Sequence, residues 1–127
     1  MLRRLAGMCL LLAFLAGCPS GPPPPTTHKV EGSVVRKDGK PFTGGGHIEF
    51  INVANPQHRS FGTLDSEGAF TLRTIAGTQN IEGAQEGDHS VTIMLAEGDG
   101  KNPQRIELKK RYTIQAGEVN TIVVRLE

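Results

Sequence analysis

The chain is predicted to fold as an all-β domain of the β-sandwich type, and three observations carry that expectation. Apolar residues recur at every second position in segment after segment, the signature of strands with one buried face. Glycine-rich and Asp-Gly turn signals separate these segments at short intervals. No segment shows a convincing helical stripe. Trp is absent and aromatics make up 5% of the chain, so the core must rest on Val, Ile, Leu and a few Phe.

The first element precedes the domain. Arg3 and Arg4 stand before an apolar run from Leu5 to Ala16, and the run ends in Leu15-Ala16-Gly17-Cys18. A basic start, a short apolar stretch and small residues at the cut are the anatomy of a secretory signal. The run falls short of the roughly 20 apolar residues a membrane-spanning helix needs. An ordinary signal peptide with an incidental cysteine is the other alternative. Leu15 to Cys18 resembles the lipobox of bacterial lipoproteins. That resemblance implies cleavage after residue 17 and attachment of a diacylglycerol to the Cys18 thiol, with two or three acyl chains in all. One chain anchors only marginally, and two or more hold firmly. Cys9, within the apolar run, reads as a small hydrophobe.

Residues 18–27 form the second element, the lipidated cysteine and a proline-rich linker. Pro22 to Pro25 favour polyproline II, and residues 19–27 would span up to roughly 28 Å in that form. The expected role is a tether. Loss of residues 1–17 removes two arginines, leaving 12 Lys and Arg against 13 Asp and Glu, so the net charge falls from +1 to −1. That balance offers no footprint for nucleic acid and no polybasic patch for anionic lipid. Cys18 is the sole cysteine left, so no internal disulfide is expected.

Residues 28–127 are enough for one domain and too few for two. Val30, Gly32 and Val34 alternate with Glu31 and Ser33. Ile48 and Phe50 alternate with His47, Glu49 and Ile51. Phe70 and Leu72 alternate with Ala69, Thr71 and Arg73. Val91, Ile93 and Leu95 alternate with Ser90, Thr92 and Met94. Ile122, Val124 and Leu126 alternate with Thr121, Val123 and Arg125. Turns are expected at Asp38-Gly39, with positive backbone angles, and at Gly44-Gly45-Gly46. Further turns are expected around Asp65 to Gly68, at Gly77 and Gly87, and at Asp99-Gly100 and Ala116-Gly117. Asp65 should cap its turn through the carboxylate, and Phe70 should pack opposite Phe50. Residues 81–87 read as a loop.

The order of these signals resembles the carboxypeptidase regulatory-like domains. Val30-Glu31-Gly32-Ser33-Val34, Asp38-Gly39-Lys40-Pro41-Phe42 and Ile48-Glu49-Phe50 are similar to that family's opening. Gly62 through Leu72 looks like its most typical hairpin. Gly83-Ala84, Gly87 and the strand that follows resemble the next element, and Gly117-Glu118 with Val119 to Leu126 resembles the closing strand. The resemblance implies a transthyretin-like, seven-stranded Greek-key sandwich without zinc or activity of its own. The chain also looks like small lipoproteins of planctomycete-type bacteria that carry this domain alone. His89 departs from the pattern, which usually has an aromatic there. On a buried strand face it should be a hydrogen-bonded core residue, mostly neutral near pH 7.

Chemistry is sparse. His28, His47, His58 and His89 lack the short ligand spacing of zinc sites. The acidic residues form no calcium loop. Ser33, Ser60, Ser66 and Ser90 show no nucleophile elbow. Gly44 to Gly46 lack the strand-to-helix context of a phosphate loop. Transthyretin-related hydrolases of 5-hydroxyisourate end in Tyr-Arg-Gly-Ser, whereas this sequence ends Val123-Val124-Arg125-Leu126-Glu127. The expectation is a non-enzymatic lipoprotein, without catalytic residues, cofactor or metal, lipid-attached at Cys18. It would sit outside the cytoplasm on the cell membrane or outer membrane, binding an envelope protein or glycan or acting as a spacer. The alternative is a small hydrolase or metal-binding protein on the same fold. The loops 42–46, 55–60 and 75–87 are the expected contact surfaces.

Overall fold

A computed structural model describes residues 24–95 and 104–127. The signal segment 1–17, Cys18, the linker up to residue 23 and the Asp99-Gly100 turn lie outside the described residues. The described residues are all-β, without a helix. They form ten strands: β1 (Val30–Val35), β2 (Gly46–Asn52), β3 (Arg59–Leu64), β4 (Ala69–Thr71), β5 (Arg73–Ala76), β6 (Gln79–Glu82), β7 (Gly87–Leu95), β8 (Gln104–Glu107), β9 (Tyr112–Ile114) and β10 (Asn120–Arg125). Ten strands stand where the resemblance implies seven.

Two sheets share them. The smaller has the order β10-β1-β4, with β1 and β10 parallel. The larger has the order β6-β5-β3-β2-β7-β8, and β9 also pairs with β7. The inward rows follow the period of two. Val30 and Val34 of β1, Ile48 and Phe50 of β2, Val91, Ile93 and Leu95 of β7, and Ile122 and Val124 of β10 are all buried in one core. Phe70 faces Phe50 across it, with ring centroids 6.0 Å apart. Gly32 makes room for this contact, because a Cβ there would stand 2.5 Å from both the Phe70 ring and the Ile122 carbonyl oxygen.

The run from Ala69 to Ala76 belongs to two sheets. It leaves the smaller sheet at Leu72 and joins the larger one as β5. Phe70, Leu72 and Thr74 stay buried across the switch. Residues 81–87 are not simply a loop: Ile81 and Glu82 belong to β6, which hairpins with β5 through Gly77 at φ +60°. That strand escapes a period-two reading because only Ile81 turns inward.

The turns follow their expected chemistry with one difference. Asp65 Oδ1 accepts from the backbone N–H groups of Glu67 at 2.8 Å and Ala69 at 2.9 Å, while Gly68 takes φ +78°. At Asp38-Gly39 only the glycine has positive φ, at +87°; the Arg36 carbonyl accepts from its N–H at 2.8 Å. This is a type I turn closed by a left-handed glycine rather than a pair of left-handed residues.

Candidate functional site

The expected contact loops are shorter than the sequence suggests. Arg59 and Ser60 lie in β3, Gly46 in β2, and residues 75–76 and 79–82 in the β5–β6 hairpin. Ser60 is buried and donates to Thr74 Oγ1 at 2.8 Å, because the single Thr74 proton goes to the Gly83 carbonyl at 2.7 Å. These buried hydroxyls tie β3, β5 and the Gly83 segment together.

One pole of the domain receives the linker. Thr27 Oγ1 donates to the Glu82 carbonyl at 2.7 Å. His28 exchanges backbone bonds with Ala84, and its Nδ1 accepts from the Gly117 N–H at 3.2 Å. Beside them, Asn52 is buried beneath a shallow cavity of ≈ 530 Å³ whose wall includes Thr26, Asn55 and Asp88. Asn52 Oδ1 accepts from Ala54 and Asn55 N–H, and its Nδ2 donates to the Glu86 carbonyl. His58 Nδ1 donates to Gln85 Oε1 at 2.8 Å. The polar side chains here brace three loops against one another.

The four histidines lie apart. His47 is exposed on the outer face of β2, level with Thr63 and Met94 on the neighbouring strands. His89 is fully buried and packs 6.0 Å from the Phe50 ring. Its Nδ1 donates to the Gly87 carbonyl at 2.9 Å. Nε2, the unprotonated nitrogen of that tautomer, is buried without a partner. Among the described residues no group of three or more His, Cys, Asp or Glu is placed to hold a metal ion. Nor is any helix there long and apolar enough to cross a membrane.

Burial holds the His89 pKa below its ordinary 6.5, outweighing the Gly87 carbonyl and the Asp88 charge, which pull upward. A depressed folded value means that the unfolded chain binds the proton more readily. His89 therefore contributes stability above pH 6.5 that is lost as pH falls from there toward the folded value. In thermal melts across this range wild type should lose stability relative to His89→Leu as pH falls. Parallel curves would show that His89 is not the titrating group.

The opposite pole carries charge. β1 and β10 both start beside the linker and run parallel for six residues, which at about 3.3 Å per residue carries the chain about 20 Å away. The turn after β1 brings Lys37, β10 ends in Arg125, and the segment between β8 and β9 brings Lys110. These three cations line one cleft of ≈ 610 Å³ with Tyr112, Val123 and Glu127. The Lys109-Lys110-Arg111 run bulges out because Leu108 and Tyr112 on either side are buried, and continued alternation would bury a cation. The Tyr112 hydroxyl accepts from the Arg125 N–H at 3.2 Å, capping an amide of the edge strand, and Lys110 Nζ stands 5.2 Å from the Tyr112 ring centre.

Charge is thus unevenly placed along a chain whose overall balance is near neutral. Seven cations (Arg36, Lys37, Lys40, Lys109, Lys110, Arg111, Arg125) and two carboxylates (Asp38, Glu127) belong to these three segments, although the whole chain is near neutral. The sequence signal was there in Arg36-Lys37 and Lys109-Lys110-Arg111, but the strand pairing was needed to bring them together. Cys18, the expected lipid attachment point, lies outside the described residues. No family model, curated protein or solved structure matches the chain.

Proposed function

We propose that the chain is a lipid-anchored envelope lipoprotein whose single domain is a non-catalytic binding module. In this reading Cys18 holds the membrane, residues 19–27 are the stiff tether, and residues 28–127 are a Greek-key, transthyretin-like sandwich akin to the carboxypeptidase regulatory-like domains. The observation that carries it is the placement of linker and cleft at opposite ends of the parallel β1–β10 pair. A module built this way presents its charged end away from its own anchor. That arrangement favours recognition over simple spacing.

The absence of catalysis is tested with the full chain in detergent. Metal analysis and a hydrolase panel should give neither stoichiometric zinc nor turnover. Zinc near one equivalent, or turnover abolished by His47→Ala or His89→Ala, would overturn the non-enzymatic reading in favour of a small hydrolase or metal protein.

A further inference from the structure

We propose that the cleft between Lys37, Lys110 and Arg125 binds sugar-acid units of an anionic glycan, through their carboxylate or phosphate groups. The proposal rests on the reading above only for the direction in which the cleft faces.

Three features of the cleft argue for an anion. Lys37, Lys110 and Arg125 come from three separate segments and converge on one surface. None of them forms an ion pair among the described residues, where the pairs are Lys29–Glu31, Arg59–Glu49 and Arg105–Glu107. The one carboxylate in the cleft, Glu127, is partly engaged: its Oε1 accepts the backbone N–H groups of Lys109 at 3.0 Å and Lys110 at 3.2 Å. Three cations lining one cleft favour an oxyanion there, and Arg125 offers a planar fork suited to carboxylate or phosphate. The Arg125 guanidinium lies beside the Gly39 turn; a Cβ at Gly39 would stand 4.0 Å from its Nη2.

Two further features select a sugar acid over a bare, densely charged anion. Val123 is 57% exposed and gives the cleft an apolar patch on which the C–H face of a sugar ring can rest. The Glu127 carboxylate repels a highly charged ligand, yet its second oxygen can accept from sugar hydroxyl groups. The cleft is open and lies along the edge strand β10, so a polymer can pass through it. The headgroups of the anchoring membrane lie toward the other pole, which leaves a component of the surrounding envelope as the ligand.

The test titrates the full chain in detergent with polygalacturonate, with neutral dextran and with soluble dihexanoyl phosphatidylglycerol. Polygalacturonate should bind, and binding should weaken as salt is raised. A Lys37→Gln/Arg125→Gln variant should lose about tenfold or more in affinity, the scale expected for removing charge-assisted contacts. Lys29→Gln, at the linker pole, should bind like wild type. Melting temperatures show whether each variant is folded, and Lys110→Gln serves as a second, independent probe of the same cleft. Equal binding by these cleft variants, equal binding of dextran, or preference for the phosphatidylglycerol headgroup would each overturn the proposal. Intact-mass analysis of the same sample reports lipidation separately. Loss of glycan binding with the lipid present sinks this inference alone, and an unmodified Cys18 sinks the anchored reading alone.

Discussion

Replacing Phe50 by alanine should destabilise the domain by about 3–5 kcal/mol, the range for truncating a buried aromatic. Phe50 is fully buried on β2, which is hydrogen-bonded on both sides by β3 and β7. Backbone held in that way cannot close over the space left behind. The ring also stands 6.0 Å from Phe70, 6.0 Å from His89 and 6.3 Å from Tyr112, all at tilted angles. Each such aromatic pair is worth about 0.5–1.5 kcal/mol beyond area burial. Domains of this size are stable by only about 5–15 kcal/mol, so the variant should sit near the edge of folding. Phe70→Ala removes the partner from the smaller sheet and belongs in the same range. The double variant should lose less than the sum of the two, since they share one contact. Urea unfolding with an unchanged slope gives the values. A loss below about 1 kcal/mol for Phe50→Ala would mean that the ring does not fill the core between the sheets.

The strands that carry this core were legible because their inward residues recur without interruption. β1, β2, β7 and β10 each place two or more large apolar side chains on one face. Asp65 was equally legible, since a carboxylate three residues before a glycine has a nearby set of amides to cap. The short outer strands were not. β6 and β8 turn a single half-buried isoleucine inward each, and one residue has no period. The change of sheet at Leu72 was hidden for a different reason. Phe70, Leu72 and Thr74 face the same core from both sheets, so alternation continues while the hydrogen-bonding partner changes from β1 to β3. Glu49 is a third case. Alternation puts it on the outer face, yet it is 5% exposed because Phe61 and Thr92 flank it and Arg59 reaches across at 3.3 Å.

The basic runs of the cleft were legible in the sequence, but their meeting was not, because they lie far apart along the chain. Lys37, Lys110 and Arg125 are brought together by the β1–β10 pairing and by the hydrogen bond between Tyr112 and Arg125. Net charge averages them against acids elsewhere, such as Glu82, Glu86 and Asp88 near the linker pole. Two ends of opposite character cancel in a sum, although a ligand meets only one of them.

Cys18→Ala should abolish lipid attachment and leave an uncleaved precursor. The proposed anchor depends on one atom, the Cys18 sulfur, which is the sole strong nucleophile within reach of the cut. Alanine keeps the small side chain that a peptidase groove accepts but offers nothing to acylate. Each acyl methylene buried in a bilayer contributes about 0.8 kcal/mol, so two or three chains hold the protein firmly and none leaves it without this anchor. The retained run Leu5 to Ala16 has 12 residues, against the roughly 20 needed to span a bilayer. Intact-mass analysis should show a diacylglycerol-modified Cys18 in wild type and full-length, unmodified chain in the variant. Wild type with an unmodified Cys18 would end the lipoprotein reading. Pro19 and Ser20 follow the cysteine, with no Asp beside it. By resemblance to diderm sorting, fractionation should find wild type in the outer membrane; signal confined to the inner membrane would count against that destination. The variant should keep its glycan affinity, because Lys37, Lys110 and Arg125 sit at the pole remote from the linker. Anchor and cleft should therefore fail separately, as two functions joined by a tether must.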